Sequence, residues 1–137
     1  MSRNKSKEAE QFVKGRMSSF NAAFQGLKYV LKTQKNSWIH VAATILIISV
    51  SAFLHLTILE WIGILLVIGF VWMAEFLNTA LEVLVDLTNP EIHPLAKISK
   101  DVGAASVLIA AFLAVIIGLL ILVPAIVRKF GLFFLFE

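Results

Sequence analysis

Three apolar runs, each long enough to cross a bilayer, constrain this chain more than any other feature. Residues 38–59 hold only His40 and His55 as ionisable groups, and residues 102–127 hold none. Between them, a run opening at Trp61 stays uncharged until Glu75. Each can supply the roughly 20 helical residues that a hydrocarbon core demands, and the joins are too short for a soluble domain. A span must satisfy its own backbone, so helices are the expected form. Of the 137 residues, 59% are hydrophobic and only 15% charged, which separates the chain from soluble globular proteins. It contains no cysteine, so thiol catalysis, disulfides and cysteine-held metals are excluded. The polar, charged start and the late first apolar run argue against a cleavable signal peptide.

The expected fold is an all-α membrane protein, an N-terminal interfacial amphipathic helix followed by three transmembrane helices per subunit, read as one domain over residues 1–137. Residues 1–10 lack apolar periodicity and read as a disordered start. Over 12–35, Val13, Phe20, Phe24, Leu27 and Leu31 form a helical stripe, with Lys14, Asn21, Gln25, Lys28 and Lys32 to one side, as in a helix lying in the interface. Arg16 falls near that stripe, where it either snorkels to headgroups or turns toward a site. The spans are expected at 37–56, 58–87 and 100–124, with 125–137 a tail. Thr88-Asn89-Pro90 and His93-Pro94 mark a polar loop between the last two. Gly63, Gly69 and Gly118 read as packing glycines, and Gly103, Ala104, Ala105 and Ser106 as a surface permitting close helix approach.

Residues 1–36 carry eight Lys/Arg against Glu8 and Glu10, and the 87–101 loop adds Lys97 and Lys100. This weighting places the N-terminus and that loop in the cytoplasm, and an odd number of spans then sends the C-terminus outside, mildly opposed by Arg128 and Lys129. The basic segment directly precedes a span, so anionic headgroups are its expected partner and not nucleic acid.

The run EFLNTALEVLVD at 75–86 sets three carboxylates and an amide into the second span. At 100° per residue, Glu75, Asn78, Glu82 and Asp86 fall within about 80° of one another, on one helical face. An ionised acid at the bilayer centre costs roughly 2.5–3.5 kcal/mol, so this face needs compensation from position, partners or a cation. Glu75 lies roughly 21 Å along the axis from Trp61, so the acids climb out of the membrane as a ladder with Glu75 deepest. Hard cations such as Mg2+ take oxygen from one or two carboxylates plus substrate phosphates, and Lys100 beside Asp101 adds a point charge suited to phosphate. Together they suggest phosphoryl chemistry on a membrane-embedded substrate. His40, His55 and His93 have no metal-type partner at i+3 or i+4 and read as satisfied or interfacial. The Walker, dinucleotide and protein-kinase motifs are missing.

The same residues carry a resemblance. The pattern E-x-x-N-[ST]-A-x-E-x-x-x-D from Glu75 to Asp86, followed by His93 and then Lys100-Asp101-Val102-Gly103-Ala104-Ala105, resembles the prokaryotic diacylglycerol kinase and undecaprenol kinase family of small integral-membrane lipid kinases. The likeness extends over about residues 16–122. It implies a homotrimer with active sites shared between subunits at the cytoplasmic side of the bacterial inner membrane, transferring the γ-phosphate of MgATP to a lipid hydroxyl of diacylglycerol or undecaprenol. By resemblance Glu75 is the general base, Glu82 a metal ligand, and Asn78, Asp86, Lys100 and Asp101 organise nucleotide and metal. Arg16 is an approximate match to a nucleotide-contacting arginine. Gln34 stands where the best-known members have a second metal-ligating glutamate, and its amide oxygen can ligate Mg2+ but brings no charge. The His93-Pro94-Leu95-Ala96 stretch leans toward the undecaprenol branch. Rival readings are a small oligomeric ion or proton pathway along the acids and a non-catalytic membrane protein.

Overall fold

The computed structural model describes residues 2–88 and 93–131, with side chains from residue 14 onward. The expected loop residues Asn89, Pro90 and Glu91, and the tail beyond Gly131, lie outside the described residues. There are four helices, α1 (Ser2–Thr33), α2 (Ser37–Leu54), α3 (Ile58–Thr88) and α4 (Pro94–Phe130), and no strand among the described residues. α2, α3 and α4 are each long and apolar enough to cross a membrane. The chain divides into two compact units, Met1–Lys35 and Asn36–Glu137.

In the first unit, α1 begins at Ser2 and so replaces the expected disordered start and the helix start at 12. Residues 2–14 contain neither Pro nor Gly and include three Lys and two Glu, so nothing interrupts the helix that the later stripe establishes. Phe20 and Phe24 are exposed, as a face meant for an interface would be. The helix closes through Thr33 Oγ1, which donates to Tyr29 O at 2.9 Å, and Gln34 N, which donates to Val30 O at 2.9 Å.

In the second unit, each turn has an identifiable cause. α2 ends in a left-handed residue, His55 (φ 55°, ψ 54°), whose N–H donates to Ala52 O while Leu56 N–H donates to Ser51 O. Such a C-cap usually falls to glycine, with the amide bonds satisfying carbonyls the helix leaves open. α3 opens on a reciprocal cap. Thr57 N–H and Oγ1 donate to Glu60 Oε2 at 2.7 and 3.0 Å, and Glu60 N–H returns to Thr57 Oγ1 at 3.4 Å. α4 starts at Pro94, six residues before the expected 100. His93 is its N-cap, with Nδ1 accepting from Leu95 N–H at 3.2 Å, so the proline begins the helix where its missing N–H costs nothing. At its other end α4 runs to Phe130, six residues past the expected 124, and stops at Gly131 (φ 67°). Part of the expected tail is therefore helix.

The core of this unit lies toward the end remote from the acids, where Leu54, Leu56, Ile64 and Ala125 are buried against Trp61, Ile121 and Leu122. The same end is pinned by charge. Arg128 donates to both carboxylate oxygens of Glu60 at 3.0 and 3.1 Å, and Lys129 donates to Phe53 O while lying 4.2 Å over the Phe53 ring. The two cations that opposed an outside C-terminus are thus spent on closing the bundle. Among the glycines read as packing positions, a Cβ on Gly63 would press Ile121 Cδ1 at 2.8 Å, whereas Gly69 and Gly118 meet nothing within 4 Å. Gly69 is exposed, whereas Gly118 is buried and lines the interior cavity. Of the 103–106 quartet only Gly103 is buried.

His55→Gly should raise the stability of the detergent-solubilised protein by about 0.5–1 kcal/mol, because a side chain in the left-handed region is strained and glycine is not. An upward shift of the thermal unfolding midpoint checks it; a downward shift would mean that the imidazole makes a contact outweighing the strain.

Candidate active site

The deepest acid of α3, Glu75, is almost fully buried, at 3% of its exposed area. Leu77 and Met73 on the opposite face are exposed, so the helix turns its polar stripe inward and its apolar face outward. Thr79 Oγ1 bonds back to Glu75 O at 2.9 Å and leaves the carboxylate free of it. One turn on, Asn78 is also buried, and its Nδ2 donates to Glu82 Oε1 at 3.2 Å. Its Oδ1 is buried without a hydrogen-bond partner. It lies against Gly103 of α4, where any Cβ would overlap it, so the α3–α4 seam closes here on a glycine because nothing larger fits. At the exposed end of the stripe Asp86 accepts from Lys100 Nζ at 2.5 Å, across from α3 to α4.

The structure thus gathers Glu75, Asn78, Glu82, Asp86 and Lys100 along one seam, as the helical spacing requires. Asp101 is not with them. It pairs with Lys97 on its own helix at 2.7 Å, both side chains well exposed, because successive helical residues point about 100° apart. An exposed i,i+4 pair of this kind is worth little and opens easily. Arg16 and Gln34 belong to the first unit, Arg16 exposed on α1 and Gln34 half-buried just after it.

Sequence reasoning missed one member. His40 Nε2 of α2 lies 3.8 Å from Glu75 Oε2, with both side chains largely buried. The imidazole meets the edge of Trp72 at a ring separation of 6.2 Å and 67°, and Trp72 Nε1–H donates to Thr44 Oγ1 at 3.1 Å. The usable signal was the pairing of a histidine in one apolar run with an acid in the next; a search for i+3 or i+4 partners cannot see it. Beside this cluster a cavity of about 410 Å³ opens between α2, α3 and α4, lined by apolar side chains such as Ile64, Val71 and Val115, with His40 and Thr44 its polar positions. Among the described residues no three His, Asp or Glu converge as a ready metal cage. The buried, unpaired Asn78 Oδ1 beside the Glu82 carboxylate nevertheless supplies hard oxygen donors of the type Mg2+ takes together with substrate oxygens.

A three-span bundle with buried and half-buried carboxylates at one end defines an integral-membrane protein with a polar site at its boundary. More particularly, the chain belongs to the prokaryotic diacylglycerol kinase family, whose model matches residues 21–122, and it is a lipid kinase by that membership. It is 41% identical over 106 residues to the undecaprenol kinase of Bacillus subtilis, covering 77% of this chain and 86% of the relative. It is 40% identical over 119 residues to the diacylglycerol kinase of Synechocystis, covering 86% and 68% respectively. The diacylglycerol kinase of Escherichia coli K12 is 29% identical over 106 residues, covering 72% and 87%.

Gly103→Val should destabilise the bundle by about 1–3 kcal/mol through overpacking of the seam. Adding Asn78→Ala should recover part of that loss, since it removes the group the new side chain strikes. Thermal unfolding of both variants checks it, and strictly additive losses would mean that the seam is not closed by this contact.

Proposed function

We propose that the chain transfers the γ-phosphate of ATP to the hydroxyl of a membrane lipid alcohol, diacylglycerol or undecaprenol, at the cytoplasmic face of the bacterial inner membrane. The observation that carries this reading is the grading of the α3–α4 seam, from the buried Glu75 carboxylate through Asn78 and Glu82 to the exposed Asp86–Lys100 pair. A lipid hydroxyl arrives from the apolar side and a nucleotide from the aqueous side. A seam that runs from one environment to the other serves both.

In the proposed mechanism Glu75 accepts the proton of the lipid hydroxyl as its oxygen attacks the γ-phosphorus. The new oxygen–phosphorus bond forms while the bond to the bridging oxygen breaks, and ADP leaves with that electron pair. Removing the proton at a positioned carboxylate contributes about 10²–10⁴-fold in such reactions. Lys100, steadied by Asp86, faces the phosphates with a compact positive charge. Arg16 is a further proposed phosphate contact, and Asp101, when its exposed pair with Lys97 opens, is an acceptor for a donor group of the nucleotide or a ligand for the metal. Glu82, with Asn78 and Gln34, would hold Mg2+, which when bound screens charge on the transferred group. Gln34 makes that site less anionic than a glutamate would.

The apolar cavity lined in part by His40 suits the hydrocarbon of the acceptor, which supports a lipid over a soluble alcohol. An undecaprenol kinase and a diacylglycerol kinase are nearly equally identical to the chain, so the acceptor is set by experiment. The wide exposed apolar surface, including Leu108, Phe112 and Leu120, is compatible with a homotrimer whose subunits share sites.

Phosphate transfer from MgATP in mixed micelles, with a short diacylglycerol and a polyprenol offered side by side, tests the reading. Glu75→Gln should lower kcat by about 10²–10⁴-fold with the protein still folded. Lipid-dependent turnover that survives this substitution would remove Glu75 from the chemistry, and a folded protein inert on every lipid would favour the ion-pathway alternative.

Gln34→Glu should lower the Mg2+ concentration needed for half-maximal rate, since a charged oxygen replaces a neutral one. A Mg2+ titration of both proteins checks it; an unchanged midpoint would place residue 34 away from the metal.

A further inference from the structure

We infer that His40 is the positioning residue for the Glu75 carboxylate, held in α2 to orient the base across the helix interface. The inference rests on the proposed role of Glu75. Among the described residues, His40 is the group within ion-pair reach of that carboxylate, at 3.8 Å. A carboxylate at 3% exposure in an apolar bundle is costly without a partner, and the neighbouring hydroxyl of Thr79 is turned to the backbone instead. The separation is longer than a hydrogen bond. Catalytic hydrogen bonds are often long before substrate binds and tighten in the complex.

The surroundings of His40 fit this role. Its ring is steadied by the Trp72 edge, and Trp72 is tied back to α2 through Thr44, so α2 and α3 hold the imidazole between them. The α4 residues that line the adjoining cavity, Ala111, Ala114, Val115, Gly118, Leu119 and Leu122, are uncharged and offer the carboxylate nothing. His40 also lines that cavity, so the group that orients Glu75 lies at the polar edge of the space in which the acceptor chain is proposed to lie. Histidine suits the position because one ring nitrogen can donate to a carboxylate in either protonation state.

The test uses the full-length protein with His40→Gln, which keeps an N–H donor, and His40→Leu, which does not. With MgATP and the preferred lipid, His40→Leu should lower kcat at least tenfold while leaving KM for ATP within about twofold, and His40→Gln should retain most of the rate. In a Glu75→Gln background His40→Leu should cost no further rate. Equal kcat in wild type and His40→Leu, or an equal loss in Gln and Leu, would overturn the inference. A second measurement needs no turnover and so separates this inference from the kinase reading. His40→Leu leaves a buried acid without its partner, so its loss of thermal midpoint should shrink when Glu75→Gln is added. Additive shifts would overturn the pairing even in an active kinase, and coupled shifts would uphold it even in an inactive one.

Discussion

A carboxylate withdrawn almost completely from solvent is the constraint to which the rest of this bundle answers. Glu75 sits on a helix whose opposite face is fit only for lipid or another subunit, and an acid so placed is tolerated only where the protein surrounds it with polar partners. The partner comes from a neighbouring helix, His40 on α2, while one turn along α3 the amide of Asn78 serves Glu82 at the seam with α4. The seam can close around them because residue 103 has no side chain. The depth of the acid, the identity of its neighbours and the closeness of α3 to α4 are therefore one arrangement and not three.

The two ends of the bundle divide the work. The remote end holds the tightest apolar packing and is fixed by Arg128 on Glu60 and Lys129 on Phe53 O, with the Thr57–Glu60 cap between. The acid end carries polar groups, an unpaired amide oxygen and an exposed ion pair, none of which maximises stability. An exposed ion pair contributes little to folding, so the clustering of Glu75, Asn78, Glu82 and the Asp86–Lys100 pair along a single seam is better accounted for by chemistry. A site that must admit a lipid from one side and a nucleotide from the other needs a rigid support and a less committed mouth.

Much of this was legible in the sequence. Three spans follow from three uncharged runs, and the shared face of Glu75, Asn78, Glu82 and Asp86 follows from helical spacing alone; α2 and α3 lie within two residues of their expected bounds. Errors arose where local rules met context. His93-Pro94 reads as a breaker, yet a proline at the first turn starts a helix as readily as it ends one. Lys100 and Asp101, adjacent in the motif, are sent by the helix to different partners, which adjacency in sequence does not reveal. His40 was passed over because its partner lies on another helix, 35 positions away, and no periodicity within one segment registers such a contact. Gly69 shows the converse, since a small residue in a span marks close approach only where a neighbour is present.

The spacing of the ion pairs along the chain has a consequence for how the protein comes together. Asp86 and Lys100 are 14 residues apart, so the hairpin of α3 and α4 closes a short loop at the acid end, whereas Glu60 waits 68 residues for Arg128 and Phe53 waits 76 for Lys129. Loop closure costs more as the loop lengthens. The Asp86–Lys100 closure is therefore the less costly of the two in chain entropy, and the remote clasp can form only once the whole of α4 is present. Substitution of Arg128 would accordingly speed unfolding more than it slows folding. In a chain made from its N-terminus, the residues of the site meet early and are then locked in place by the last charged residues of the final helix.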